Sequence, residues 1–141
     1  MKFPALFDPA HEGGFTVTFR DLPEAITEGE TLEEAEEMAV DALLTALEFY
    51  FSDGRHVPTP SQPNAGERLV ELPSSAVAKI HLLNAKLASS MKSVDVARAL
   101  GLAPQELTRV YSLKHTTKID TVAAALRVLG YELELTVRPT R

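Results

Sequence analysis

The stretch SVDVARALGLAPQELTRVYS, residues 93 to 112, leaves few local structures open. Val96 and Leu100 stand one helical turn apart and give a first short helix its inner face, while Ala97 is small where a second helix must cross. Gly101 then allows a tight turn, because glycine takes the left-handed backbone without a Cβ clash. Pro104 stands where the next helix begins, a position that needs no N–H donor. Leu102, Leu107 and Val110 anchor that second helix. Two helices of this size at such a turn meet the requirements of a helix-turn-helix of the phage-repressor kind, expected over 93–100 and 104–112. A helical hairpin in an ordinary bundle would satisfy the same apolar pattern but would set no rule for what faces outward. Gln105, Thr108, Arg109 and Ser112 face outward, with Lys114, His115, Thr116, Thr117 and Lys118 just beyond. Gln and Arg suit bidentate contact with adenine and guanine edges, Ser and Thr reach bases or phosphates, and Lys meets phosphates. Gln105, Thr108 and Arg109 are therefore the expected base readers, and Ser112, Lys114, Thr117 and Lys118 the expected backbone contacts.

The formal net charge of -6 would repel a polyanion, but it is not evenly spread. Residues 1–72 hold fifteen Asp and Glu against four Lys and Arg, a balance of -11. Residues 73–141 hold ten Lys and Arg against five acids, a balance of +5. The division predicts two modules with different partners, and a field of that sign over the first repels nucleic acid and attracts a basic protein. Glu30, Glu33, Glu34, Glu37 and Asp41 are the expected contributors to that acidic surface, with Glu33, Glu37 and Asp41 spaced to share one helix face. The plainer reading of such a run is a solvated helix face.

KFPALFD and GFTVTFRD read as strands joined by the loop PAHEGG, the second alternating Phe15, Val17 and Phe19 against Thr16 and Thr18. Pro4 has no N–H, so the first strand should meet an edge or a ladder gap there. A short strand is expected around AITE, ending at Gly29. Thr31-x-x-Glu34 then opens a helix as a capping box, and Leu32, Ala35, Ala39, Ala42, Leu43, Ala46, Leu47 and Tyr50 supply its buried stripe. Gly54 should end it. RHVPTPSQPNAGE has three prolines and no periodicity, so it is a loop, and RLVEL adds a last strand. The order is β-β-β-α-β, an α+β module with one helix on a small sheet.

After Pro73, with Ser74 or Ser75 as cap, a helix should carry Val77, Ile80, Leu83 and Leu87 on one side. Beyond the two helices already described, another is expected from about Lys118 to Leu129, stopped by Gly130. The tail YELELTVRP alternates Tyr131, Leu133, Leu135 and Val137 against Glu132, Glu134 and Thr136, which reads as a terminal β-strand. A lone strand cannot satisfy its backbone, so it must pair with the first sheet or with the same strand of another subunit. One recognition helix reads too few base pairs, so a homodimer through this segment, or a tetramer of such dimers, is expected on operator DNA.

The run EGGFTVTFRDLPEAITEGETLEEAEEMAVDALLTALEFYF resembles the HicB antitoxins of bacterial toxin–antitoxin pairs. It has their Gly-rich hairpin, aromatic strand, Asp-Leu-Pro turn and Gly-x-Thr-x-x-Glu-Ala helix opening. With the second module the similarity covers nearly the whole chain and matches the long form of the family, which joins the two modules in this order. The resemblance implies a partial ribonuclease-H-like fold for residues 1–72 and a partner, HicA, a small basic toxin of double-stranded-RNA-binding fold that cleaves messenger RNA. It also implies repression of the operon through residues 73–141. Arg20 and Glu24 stand where many members have Pro and Gly, and Glu resists the positive φ that Gly allows, so the local turn is expected to differ.

A two-metal nuclease would need several carboxylates converging on one pair of ions. Asp8 and Asp21 are the only strand-end aspartates in the right region, and both have loop-capping explanations, so no catalytic residue is expected. The chain has no Cys and its four His are scattered, so neither a metal nor another cofactor is expected. With no apolar run long enough to span a bilayer and no signal-peptide pattern, the expected compartment is the cytoplasm, with no membrane partner. The alternative function is a ligand-sensing repressor, whose first module would need an apolar pocket with a few converging polar groups.

Overall fold

In a computed structural model of the chain, residues 1–140 are described. They fall into two compact units, Met1–Val77 and the residues from Ala78 on. No charged residue lies between Pro73 and Ala78, so the acidic and basic balances are those of the two units.

The first unit is a four-stranded antiparallel sheet carrying one long helix. Its strands are β1 (Lys2–Pro9), β2 (Phe15–Thr18), β3 (Ile26–Gly29) and β4 (Glu67–Glu71), in the order β3-β2-β1-β4. The helix α1 (Leu32–Asp53) packs on β2, β3 and β4. Alternation decides the faces: Phe3, Ala5, Val17 and Val70 are buried, whereas Leu6, Thr18, Ile26 and Leu69 lie on the open face. β1 is an interior strand, but its ladder with β2 begins only at Leu6. Pro4 is matched to Leu69 of β4 alone, so its missing donor falls in a ladder gap.

The helix begins at the expected residue, with Thr31 in extended backbone and its hydroxyl accepting from the Glu34 N–H at 3.1 Å, the hydroxyl half of the expected capping box. Ala35, Ala39, Leu43, Ala46, Leu47 and Tyr50 are buried, and Gly54 closes the helix at φ 64. The motif Gly29-x-Thr31-x-x-Glu34-Ala35 acquires a physical meaning here. A Cβ on Gly29 would lie 2.5 Å from the Ala35 nitrogen and 2.7 Å from its Cα, so the start of α1 can rest on β3 only if residue 29 has no side chain.

The second unit is all helical: α2 (Ser74–Ala88, which begins in the first unit), α3 (Ser93–Leu100), α4 (Pro104–Val110) and α5 (Ile119–Val128). Ala78, Leu82 and Ala85 of α2, Val96 and Ala97 of α3, Leu107 and Val110 of α4, and Val122, Ala125 and Leu126 of α5 form its core. Each larger side chain fully withdrawn from water contributes about 1.5–3 kcal/mol.

Four expectations need correction. Ser74 is the first helical residue of α2 rather than its cap, and the Ala76 and Val77 N–H groups donate to the Pro73 carbonyl. Leu87 is exposed, because the core-facing stripe runs through Ala78, Leu82 and Ala85 instead. The second of the two short helices stops at Val110, two residues early. Within a single chain the terminal strand is not formed, so of its two expected partners the first sheet is the one that fails: residues 131–140 carry no strand or helix, and Leu135 and Val137 are 78% and 97% exposed. Alternation decides which side chains share a face, but a strand also needs a partner for its backbone, and the first sheet does not supply one.

Candidate functional site

In the second unit Gly101 takes φ 69 and ψ 28, and its N–H and that of Leu102 donate back to the Arg98 and Ala97 carbonyls. This left-handed cap turns the chain directly from α3 towards α4. Pro104 opens α4, and the Glu106 carboxylate accepts from the Ala103 N–H at 3.1 Å, which steadies the helix start. With Leu107 and Val110 buried, Gln105, Thr108 and Arg109 are left exposed on the outer side of α4. Lys114 and Lys118 are exposed beyond it, while Ser112 and Thr117 are half-buried. Thr108 departs from expectation in one respect. Its hydroxyl donates to the Pro104 carbonyl at 3.0 Å, so in this rotamer it presents only acceptor lone pairs.

One residue of this region escapes the sequence pattern. Among the described residues Lys79 is the one buried charged side chain, at 4% exposure. Its Nζ donates to the carbonyls of Arg109 (3.2 Å), Val110 (2.6 Å) and Ser112 (2.9 Å) and to Thr117 Oγ1 (2.7 Å). The available signal was its spacing, three and four residues before the buried Leu82 and Leu83, which puts it on an inward face of α2.

In the first unit Glu30, Glu33, Glu34, Glu37 and Asp41 are all exposed, and Glu33, Glu37 and Asp41 line one face of α1. Among the described residues no Lys or Arg pairs with any of the five. Glu36, one step around the helix, pairs with Arg68. The acids are thus of two kinds, those neutralised within the unit and those facing solvent.

The turn at residues 20–24 is of the first kind. The Leu22 carbonyl accepts from the Ala25 N–H at 2.9 Å, with Pro23 at the second position, and no residue other than Gly has positive φ. Glu24 therefore avoids the left-handed conformation that a type II turn would demand. Its carboxylate accepts from the Tyr50 hydroxyl at 3.0 Å and from Arg55 at 2.9 Å, and hydrogen bonding, from its own backbone N–H first and then from Arg55, holds it below the usual carboxylate range. Arg20 pairs with Glu67 at 3.0 Å and donates to the Gln62 carbonyl; that pairing likewise lowers Glu67. Arg20 thus ties the proline-rich loop to the start of β4, and Glu24 ties the end of α1 and the start of that loop to the turn between β2 and β3. Asp21 accepts from the Ser61 N–H (2.8 Å) and hydroxyl (2.7 Å), so its carboxylate caps the loop. Among the described residues no group of carboxylates and histidines could hold a metal ion.

Sequence reasoning also passed over the open face of the sheet, where Leu6, Ile26 and Leu69 are 44%, 63% and 49% exposed. Ile26, Thr18 and Leu6 lie in one register row across β3, β2 and β1.

Two small units with exposed surfaces of opposite charge are the make-up of a binding protein. A family model described as the HicB-like antitoxin of bacterial toxin-antitoxin systems matches residues 2–81. The chain is 48% identical over 135 residues to the Antitoxin HicB of Escherichia coli (strain K12), covering 96% of this chain and 98% of the relative. It is 51% identical over 135 residues to Antitoxin HicB 2 of Photorhabdus laumondii, covering 96% and 95%. Against the Antitoxin HicB of Pseudomonas fluorescens the identity is 36% over 146 residues, covering 97% and 98%. The chain belongs to the HicB-like antitoxin family, as an antitoxin and not an enzyme. No helix among the described residues is long and apolar enough to cross a membrane.

Proposed function

We propose that residues 1–77 neutralise a small basic mRNA-cleaving toxin of the HicA kind, and that the helical unit represses the operon by sequence-specific DNA binding. The observation that carries this reading is the charge division between the units, -11 against +5, with a row of uncompensated acids on α1. An acidic field attracts a basic partner and keeps nucleic acid away from the same unit. The β-β-β-α-β order fits a partial ribonuclease-H-like module, here serving as a binding scaffold. The pair α3 and α4 fits a helix-turn-helix with Gln105, Thr108 and Arg109 towards bases and Ser112, Lys114, Thr117 and Lys118 towards phosphates. A protein with these two tasks works in the cytoplasm.

Reversing Glu33, Glu37 and Asp41 to Lys together tests the acidic surface. Toxin association, followed by stopped flow, is expected to slow about 10- to 100-fold at low salt, with the gap narrowing as salt screens the field. Unchanged rates would move the contact to the open sheet face or the proline-rich loop.

The alternating tail supports a homodimer, built by pairing Tyr131–Val137 with the same segment of a second subunit, or a tetramer of such dimers. Deleting residues 131–141 is expected to leave a monomer in sedimentation experiments and to weaken operator binding about 100-fold or more, because two linked half-site contacts become one. A truncated chain that still sediments as a dimer would contradict this arrangement.

A further inference from the structure

Burying an ammonium without a counter-ion is costly unless every donor finds an acceptor. Lys79 meets that condition in an unusual way. Three of its acceptors are carbonyls: those of Arg109 and Val110 in the last turn of α4, where the helix dipole is negative, and that of Ser112 two residues beyond it; the Arg109 carbonyl also accepts from the Ser112 N–H. α4 has no glycine to close it, since Tyr111 at its C-terminus is right-handed with φ -79 and ψ -9. The Tyr111 and Ser112 N–H groups close the Leu107 and Arg109 carbonyls, and the Lys79 ammonium adds donors from another helix to Arg109, Val110 and Ser112. Its fourth acceptor, Thr117 Oγ1, lies at the far end of the loop between α4 and α5. A hydroxyl that accepts from Lys79 keeps its own proton to donate outward, which is the polarity a phosphate oxygen requires.

We propose that Lys79 is a positioning residue for operator binding: from inside the helical unit its ammonium fixes the end of α4 and the following loop, so that Arg109, Ser112 and Thr117 meet DNA in one geometry. The inference rests on the DNA-binding reading above. Three of the seven residues assigned to DNA share this one hydrogen-bonding centre, and Lys79 is itself too buried to touch a phosphate. Burial pulls its pKa down to about 8, so at pH 7 the side chain is still mostly protonated with three donors.

The test compares full-length wild type with Lys79→Met and Lys79→Gln in operator-fragment binding between 50 and 200 mM salt, alongside melting temperature and rescue from the toxin; the salt range is about that over which phosphate contacts dominate affinity. Met removes all donors and the charge, whereas Gln keeps two donors. Lys79→Met is expected to bind about tenfold more weakly and to lose about one unit of salt slope, as for one phosphate contact; Lys79→Gln should lose about threefold. Rescue should be unaffected in both. A purely structural role would lower the melting temperature while leaving affinity and salt slope of the folded chain at wild-type values. Either variant behaving so would overturn the proposal. A wild-type chain that binds no fragment of its own promoter would overturn the DNA-binding reading and this role with it.

Discussion

Gly29→Val is expected to unfold the acidic unit and abolish toxin neutralisation. The added Cβ would press on backbone atoms of Ala35, 2.5 and 2.7 Å away, which cannot rotate aside as a flexible side chain can. Relief requires α1 to lift off β3, and α1 supplies Ala35, Ala39, Leu43, Ala46, Leu47 and Tyr50 to the core. The cost should exceed the roughly 3 kcal/mol typical of overpacking, a large share of a small domain's stability. Gly66→Ala is the informative control. Gly66 has φ +86 but open space around its missing side chain, so only the backbone preference is lost, about 1–2 kcal/mol. Melting curves followed by circular dichroism should show Gly29→Val far below Gly66→Ala. Similar curves would show that close approach does not set the Gly-x-Thr motif.

The double variant Gln105→Ala/Arg109→Ala is expected to lose operator recognition while keeping both fold and neutralisation. Both side chains are exposed, and truncating them leaves Leu107, Val110 and the Arg109 backbone carbonyl in place. A bidentate base contact contributes about 1–3 kcal/mol of discrimination, so losing two should weaken specific binding about 100-fold or more. Lys114→Ala/Lys118→Ala should behave differently, weakening binding to all sequences and reducing the salt slope by about two. Anisotropy titrations against operator and scrambled duplexes separate the cases. A double variant that still prefers the operator would move base reading away from α4.

Most of the architecture was legible because it follows from local rules. Thr31, Gly54, Gly101 and Pro104 mark helix ends by backbone chemistry, and Phe15, Val17 and Phe19 fix a strand face by alternation alone. What escaped depends on atoms distant in sequence. Lys79 looks like a surface lysine until the end of α4 is brought to it, 30 or more residues away. Arg20 and Glu24 look like departures from a turn motif until Glu67 and Arg55 stand opposite them. The tail from Tyr131 has the pattern of a strand, but pairing is a property of two segments and the pattern describes one. The α1 acids could be placed on one face from their spacing; which of them lack an internal partner required knowing where Arg68 lies.

The central claim is that the acidic unit exists to hold a basic toxin, and cell growth tests it most directly. The test is whether a short basic reading frame lies beside this one and, when induced with and without this chain, behaves as its toxin. Growth should stop when the neighbour is expressed alone and resume when the chain is co-expressed. A harmless neighbour, or a toxic one that this chain fails to silence, would contradict the account.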